Sequence, residues 1–443
     1  MSDKVKIDSL KYHSGDRPGK ISVQSSKPCK TQQDLSLAYT PGVAIPCLEI
    51  KDNPENIWKY TVKDNFVAVV SDGTAVLGLG NIGPEASMPV MEGKAVLFKR
   101  FAGIDAVPIC LDKVFNEDGS SNAEKIIETV ERLQPTFGGI NLEDIASPAC
   151  FEIEQKLKKS MSIPVFHDDQ HGTAIISTAA ILNALKILGK KIEDAKFVMS
   201  GAGAAGTACA KMYITAGAKA ENIILCDING VLHSGRNDIP EEKKEFAHDI
   251  EDRTLEDAIK GADVFIGVSV GNCVTEEMIK SMGKDPIVFP MANPIPEIMP
   301  EKALNAGAAV VGTGRSDFMN QINNVLGFPG IFRGALDVRA LDINEDMKLA
   351  ASRAIAEIAN EKLPTDVYEL LSKAYPEDAA NGMFDGDSPL KKTYVIPKPF
   401  DPRVVPRVAR YVAEAAMKSG VAQVKIDDLE LYEISVRNRI END

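Results

Sequence analysis

The chain has 443 residues, 44% of them apolar, enough for two or three domains with ordinary buried cores. A formal charge of −14 argues against nucleic acid or an anionic membrane surface as a partner and towards a small molecule. No apolar run appears long enough to span a bilayer, Met-Ser-Asp-Lys-Val-Lys lacks a signal core, and seven cysteines without a C-x-x-C pair fit reduced thiols, so a cytoplasmic protein is expected.

Residues 1–30 are polar and carry no strong pattern. Next, Leu35-Ser-Leu-Ala-Tyr39-Thr-Pro41-Gly42 breaks a helix-like run at a Pro-Gly turn. Taken alone, Tyr39 reads as a half-buried packing residue. Phe66 to Val70 has the pattern of a buried strand, and the glycine-dense loop from Ser71-Asp-Gly73-Thr to Gly83 must turn sharply or approach another surface closely. The helical stretch Pro89 to Lys99 places Lys94 among Met, Val, Leu and Phe. Such a lysine either snorkels to water, the simpler reading, or is desolvated, with its pKa lowered from about 10.4 towards the range of a base.

Asp105 to Leu111 reads as a strand and Ala123 to Leu133 as an amphipathic helix. Two apolar segments then end in acids: Phe137 to Ile145 carries Glu143-Asp144, and Ile163-Pro-Val-Phe166 leads into His167-Asp168-Asp169-Gln170-His171-Gly172-Thr173. Each pair alone is an ordinary solvated cap, but acids converging from two segments suit a hard divalent cation. A zinc site on His167 and His171 would need both on one helical face. Pro164 upstream, Gly172 downstream and the lack of a Glu after the first His argue against it.

An apolar helix, Ala174 to Leu188, delivers the chain to its most informative stretch. The strand Lys196 to Ser200, the turn Gly201-Ala-Gly203-Ala204-Ala205-Gly206, a helix and the strand Asn222 to Asp227 form one complete parallel unit. Gly201 permits the tight turn, Gly203 lets backbone N–H groups approach a pyrophosphate, and Gly206 lets helix and strand pack closely. Asp227, about 20 residues on, is placed to accept from ribose hydroxyls. Three more strand-like runs end at Ser269, at Asn293 and at Gly312 to Arg315, and ligands of a doubly wound sheet sit beyond such ends. Asn320, Asn323 and Asn324 follow; as neutral amides near the cleft they suit a carboxylate substrate. From Leu341 the pattern is helical, with Glu345 to Glu361 and Val404 to Lys418 expected to pack back on the N-terminal region.

Together these stretches resemble the malic enzymes, most closely their short bacterial and archaeal form. The matching segments are Ala38 to Val43, Ser71 to Lys94, Asn141-Leu-Glu143-Asp144, Phe166 to Thr173, Gly201 to Gly206 and Asn320 to Asn324. The resemblance implies oxidative decarboxylation of L-malate to pyruvate and CO₂ with NAD or NADP, and Glu143, Asp144 and Asp169 as ligands of Mg²⁺ or Mn²⁺. It implies Lys94 as general base with a lowered pKa, Tyr39 as general acid, Asp168 behind the metal ligands, and Asn293, Asn323 and Asn324 towards substrate. Gly201, Gly203, Ala204, Ala205, Gly206, Asp227, Ser269 and Asn293 border the dinucleotide. Where long forms have an arginine to grip malate, this chain has Thr74-Ala75; the cation and Asn324 are expected to share that work. Asp227 favours a ribose hydroxyl, whereas Arg236, Lys243 and Lys244 could meet a 2′-phosphate. A homodimer is implied, in which Tyr39 and Lys94 could belong to different subunits. The alternatives are a non-decarboxylating 2-hydroxy-acid dehydrogenase and a non-catalytic dinucleotide-binding regulator. The expected architecture is α/β: an N-terminal catalytic domain over 1–175, a Rossmann-like doubly wound parallel sheet over 176–335, and a C-terminal helical segment over 336–443.

Overall fold

The computed structural model describes residues 3–76 and 78–442. Met1, Ser2, Leu77 within the glycine-dense loop, and Asp443 lie outside the described residues. Two sheets dominate. The first has the order β2-β1-β3-β4, all parallel, from β1 (Phe66–Ser71), β2 (Asp105–Cys110), β3 (Gly139–Leu142) and β4 (Val165–His167). The central strand β1 reads Phe-Val-Ala-Val-Val-Ser and is buried almost throughout, as a parallel strand covered on both faces must be.

The second sheet has the order β10-β9-β8-β5-β6-β7, made by β5 (Phe197–Ser200), β6 (Ile223–Asp227), β7 (Gly230–Val231), β8 (Val264–Gly267), β9 (Ile287–Pro290) and β10 (Val310–Val311). Only β7 runs antiparallel, against β6. The strand order reverses direction between β6 and β8, on either side of β5, so the carboxyl end of β5 lies at the switch point where a doubly wound fold opens its ligand crevice.

Between the sheets runs one helix, Asp168–Leu188, which starts six residues earlier than its apolar pattern suggests. Asp168 and Asp169 occupy its first turn, where acids are favoured by the positive end of the helix dipole, and this extends the helix upstream. Among the described residues it is the one helix long and apolar enough to cross a membrane, contrary to the expectation of no such run; 72% of its apolar window is buried inside the protein. Its Ala174, Ile175, Ile176 and Ala179 share one core with Val67, Val69 and Phe98 of the first sheet's layer and with Phe197, Met199 and Ile266 of the second. The helix therefore spans the expected boundary at 175/176, and Phe328–Asp337 spans that at 335/336.

The C-terminal helices Glu345–Asn360 and Val404–Lys418 pack on each other, on the central helix and on Phe328–Asp337, while Leu429–Asn442 reaches the helix Pro84–Ala102. The helices Asp3–His13, Ala149–Ser160, Thr365–Ala374 and Leu429–Asn442 are additions to the sequence reading.

Candidate active site

The carboxyl ends of β3 and β4 bring the acids together. Glu143 and Asp144 follow β3 directly, and Asp168 and Asp169 open the helix after β4. Because β3 and β4 are neighbours in register, Leu142 opposite His167, the two acid pairs meet across one strand spacing. Ligand oxygens of Glu143, Asp144 and Asp169 all lie within 4.8 Å of one another. Asp144 holds a positive φ of 54°, a conformation Asp tolerates better than most residues, and its N–H donates to Asp169 Oδ2 at 2.6 Å.

Lys94 completes the cluster from the helix Pro84–Ala102. Its Nζ lies 2.6 Å from Asp168 Oδ2 and 2.8 Å from Glu143 Oε1, and 4.3 Å from the centre of the Phe328 ring. The side chain is 10% exposed, so it does not snorkel. The expected lowering of its pKa is not met. Burial does lower it, but attraction from Asp168, Glu143 and Asp169 more than reverses this, and the ammonium is held charged. Burial in turn raises the Glu143 carboxyl well above the ordinary range despite Lys94. Under Lys94, Phe328 packs edge-on against Phe98, 4.7 Å between ring centres, so the charged head rests on an aromatic floor.

Besides Phe328, two residues not anticipated for the cluster hold it in place. Asn141, two positions before Glu143 and so on the same strand face, donates from Nδ2 to Glu143 Oε2 at 2.8 Å. His167 Nε2 lies 3.4 Å from Asp169 Oδ2; burial weakens its basicity, Asp169 and Cys150 together outweigh that, and its pKa is raised well above normal. His171 faces away, with Nε2 2.9 Å from both Glu154 oxygens and Lys348 on its other side. The two histidines do not converge, so the zinc reading fails on geometry. Phe328 left no sequence signal, whereas the Asn141-x-Glu143 spacing could have been read.

Asn324 is brought to the cluster: its Nδ2 donates to Asp168 Oδ2 at 3.1 Å, and a Cβ on Gly172 would meet that amide nitrogen at 2.6 Å. Asn323 is turned to local work, its Oδ1 accepting from Val325 N–H as the cap of a short turn. The position of Thr74 is set by its hydroxyl, which donates to Asp72 Oδ1 at 2.7 Å and accepts from Ala146 N–H at 2.9 Å, so it braces the loop carrying the acids rather than offering a charge. Tyr39 is not brought in. Its ring is 70% exposed, and the helices Gln32–Ala38 and Ala44–Asp52 flanking it bury no residue in a single chain.

The glycine turn has the expected shape. Gly201 has φ of +109°, and a Cβ there would lie 2.5 Å from Val268 O; a Cβ on Gly206 would lie 1.9 Å from Gly201 O. A Cβ on Gly203 would meet nothing within 4 Å, so that face of the turn is open where backbone N–H groups of Ala204 and Ala205 begin the helix Ala204–Thr215. These residues fit a pyrophosphate. Ala204 also packs against the apolar cluster of the first sheet, which contains Ile145, next to Asp144. Across the cleft, Gly78 lies close against Asn293 and Pro294, and Ala75 of the same loop donates its N–H to the Asp144 carbonyl at 3.0 Å, so loops of the two sheets meet near the acids. Asp227 ends β6 but is not free: Arg236 forks onto it at 2.8 Å through both nitrogens and onto Asp238 at 2.6 Å.

Residues 18–158 match the malic enzyme N-terminal domain, and residues 170–375 the malic enzyme NAD-binding domain. The chain belongs to the malic enzyme family. A bifunctional malic/malolactic enzyme of Bacillus subtilis is 54% identical over 420 residues, covering 94% of each chain. An NADP-dependent malic enzyme of Escherichia coli is 52% identical over 435 residues, or 98% of this chain; the chain spans about half of that relative, 55% of its length. The crystal structure of malic enzyme from Pyrococcus horikoshii superposes with a TM-score of 0.87 at 43% identity, covering 99% of this chain and 96% of that one. The reaction of malic enzymes is oxidative decarboxylation of malate to pyruvate with reduction of NAD or NADP, and the α/β architecture with a Rossmann-like sheet is theirs too.

Proposed function

We propose that this chain converts L-malate to pyruvate and CO₂ with Glu143, Asp144 and Asp169 as ligands of Mg²⁺ or Mn²⁺, Lys94 as base and Tyr39 as acid. The observation carrying the reading is the meeting of those three acids with Lys94 beside an open glycine turn. The donor set fits a hard cation: all oxygens, all carboxylates, and beside them Asp168 Oδ1, buried without a hydrogen-bond partner among the described residues. A cation held there supplies Lewis-acid polarisation of the substrate's oxygens. Gly203 and Ala204 would hold the pyrophosphate of NAD or NADP, which when bound would supply the hydride acceptor for C2.

The chain's own residues do the rest. Lys94, fixed by Asp168 and Glu143, is placed to take the proton of the C2 hydroxyl; a cation on Glu143, Asp144 and Asp169 would offset the negative charge that otherwise holds its ammonium protonated, leaving the amine free to act as base. Asn324, oriented by Asp168, offers its amide to a substrate carboxylate, and Asn293 borders the same cleft from the second sheet. Departure of CO₂ from C4 leaves C3 to be protonated, and Tyr39 does this from a second copy of the chain. Its exposure and the unburied helices around it support that placement: Leu35, Leu37, Ile45 and Leu48 are all more than half exposed. A homodimer that covers this surface would join Tyr39 to the partner's cluster.

Both cofactors are admitted. Arg236 neutralises Asp227, the acid that would otherwise repel a 2′-phosphate, and keeps a guanidinium at that point. The deciding experiment is a spectrophotometric assay with malate, Mn²⁺ and each cofactor in turn, with pyruvate measured alongside. Reduced cofactor without pyruvate would select the simple dehydrogenase, and no product with either cofactor would refute turnover.

A further inference from the structure

Glu297 is fully buried and belongs to none of the groups described above. It follows β9 and the Asn293-Pro294 turn, and its carboxyl lies where a Cβ on Gly267, the last residue of β8, would come within 2.3 Å of it. One oxygen, Oε1, accepts from Ser269 N–H at 2.7 Å and from Ser269 Oγ at 3.3 Å. The other, Oε2, accepts from Ala292 N–H at 3.1 Å. Ser269 Oγ is in turn 2.8 Å from Ser200 Oγ. Ser200 ends β5, Ser269 follows β8 and Ala292 follows β9, and these three strands are adjacent in the sheet. A single hydrogen-bonded chain therefore runs along the carboxyl edge of three neighbouring strands.

Burying a carboxyl beside a glycine is costly, and burial pushes its pKa up, opposed by the N–H groups of Ser269 and Ala292. Those two N–H groups lie just beyond the ladder of the sheet, where no neighbouring strand offers them a carbonyl. A carboxylate with two acceptor oxygens meets both at once, and no neutral side chain does so without presenting a donor to one of them. The two loops it joins carry Ser269 and Asn293, the lips of the crevice past the switch point.

We infer that Glu297 is a positioning residue for the nicotinamide half of the dinucleotide. It sets the spacing of the 268–273 and 291–294 loops, while the adenosine and pyrophosphate half is held by the glycine turn on the far side of β5. The inference rests on the dinucleotide occupying this crevice. Glu297→Gln keeps one acceptor but turns an NH₂ group towards a backbone N–H, so the spacing changes with almost no change in volume.

The test is the affinity of the full-length chain for NAD, NADP and ADP-ribose, which lacks nicotinamide, with Mn²⁺ binding followed by electron paramagnetic resonance. Glu297→Gln is expected to weaken the preferred dinucleotide about tenfold or more and to lower kcat, with ADP-ribose and Mn²⁺ affinities within about twofold of wild type. Should that variant not fold, Ser200→Ala, which cuts the link to Ser269 and the long contact to Cys273 Sγ at 3.8 Å but leaves Glu297 and its two N–H donors in place, is expected to act in the same direction by about threefold. Equal weakening of ADP-ribose and dinucleotide, or no weakening of either, would overturn the assignment. Failure of the wild-type chain to bind either ligand would instead overturn the function proposed above, and this inference with it.

Discussion

Two glycines three residues apart in one turn are expected to fail differently when each is given a methyl group. At Gly206 the new Cβ would sit 1.9 Å from Gly201 O and 2.9 Å from its carbonyl carbon. That oxygen cannot swing aside, because Gly201 is held at φ +109° with its own Cβ position 2.5 Å from Val268 O. Overpacking of this kind costs about 1–3 kcal/mol, while replacing glycine by alanine inside a helix returns about 1 kcal/mol. A net destabilisation of up to about 2 kcal/mol follows, read as a lower Tm. At Gly203 the methyl would meet nothing within 4 Å, and φ is −79°, open to alanine, so stability should stay within about 1 kcal/mol of wild type. That methyl does enter the space proposed for the pyrophosphate, and dinucleotide affinity should fall at least tenfold, about 1.4 kcal/mol. Thermal melts and fluorescence titration with NAD and NADP separate the two effects. A Gly203→Ala protein that binds dinucleotide as tightly as wild type would refute the placement of the phosphates, and a raised Tm for Gly206→Ala would refute the packing argument.

Lys94→Met should reduce turnover at least about 100-fold while dinucleotide affinity stays within about threefold, since Lys94 contacts acids and Phe328 but no residue of the glycine turn. Mn²⁺ at 100 times its Kd should stabilise the wild type by about 2.7 kcal/mol; Asp169→Asn should remove most of that rise in Tm, and EDTA should abolish activity. Arg236→Gln exposes the charge of Asp227, so the ratio of kcat/KM for NADP to that for NAD should fall at least about tenfold; an unchanged ratio would free Arg236 of any part in selection. Tyr39→Phe should still release CO₂ but protonate C3 slowly. Mixing it with Lys94→Met should restore activity through heterodimers if the two residues come from different subunits, and no restoration would place both in one chain.

Much was legible without coordinates. Strand and turn signals depend on neighbours in sequence, so β1, β5, β6 and the glycine turn could be read directly, as could the acids at the ends of β3 and β4. The start of the central helix was misread because its first turn is acidic and polar, and a 3.6-residue apolar pattern begins only at Ala174. The Lys94 pKa and the Asn323 side chain depart from the sequence reading for a different reason. Each reading rested on the character of nearby residues in sequence, whereas Lys94 is governed by carboxylates 49 to 75 positions away in the chain and Asn323 by one N–H two positions on.

The amino-acid order by itself determined which groups are available and where the chain turns, because glycine spacing, apolar period and acid position are local properties. Only tertiary structure decided what each group does. Parallel pairing of β3 with β4 puts Glu143 within reach of Asp169, Arg236 occupies Asp227, and the buried Glu297 ties the ends of three strands. Charge and hydrogen bonding act over a few ångströms in space, and no local pattern carries the distances on which they depend.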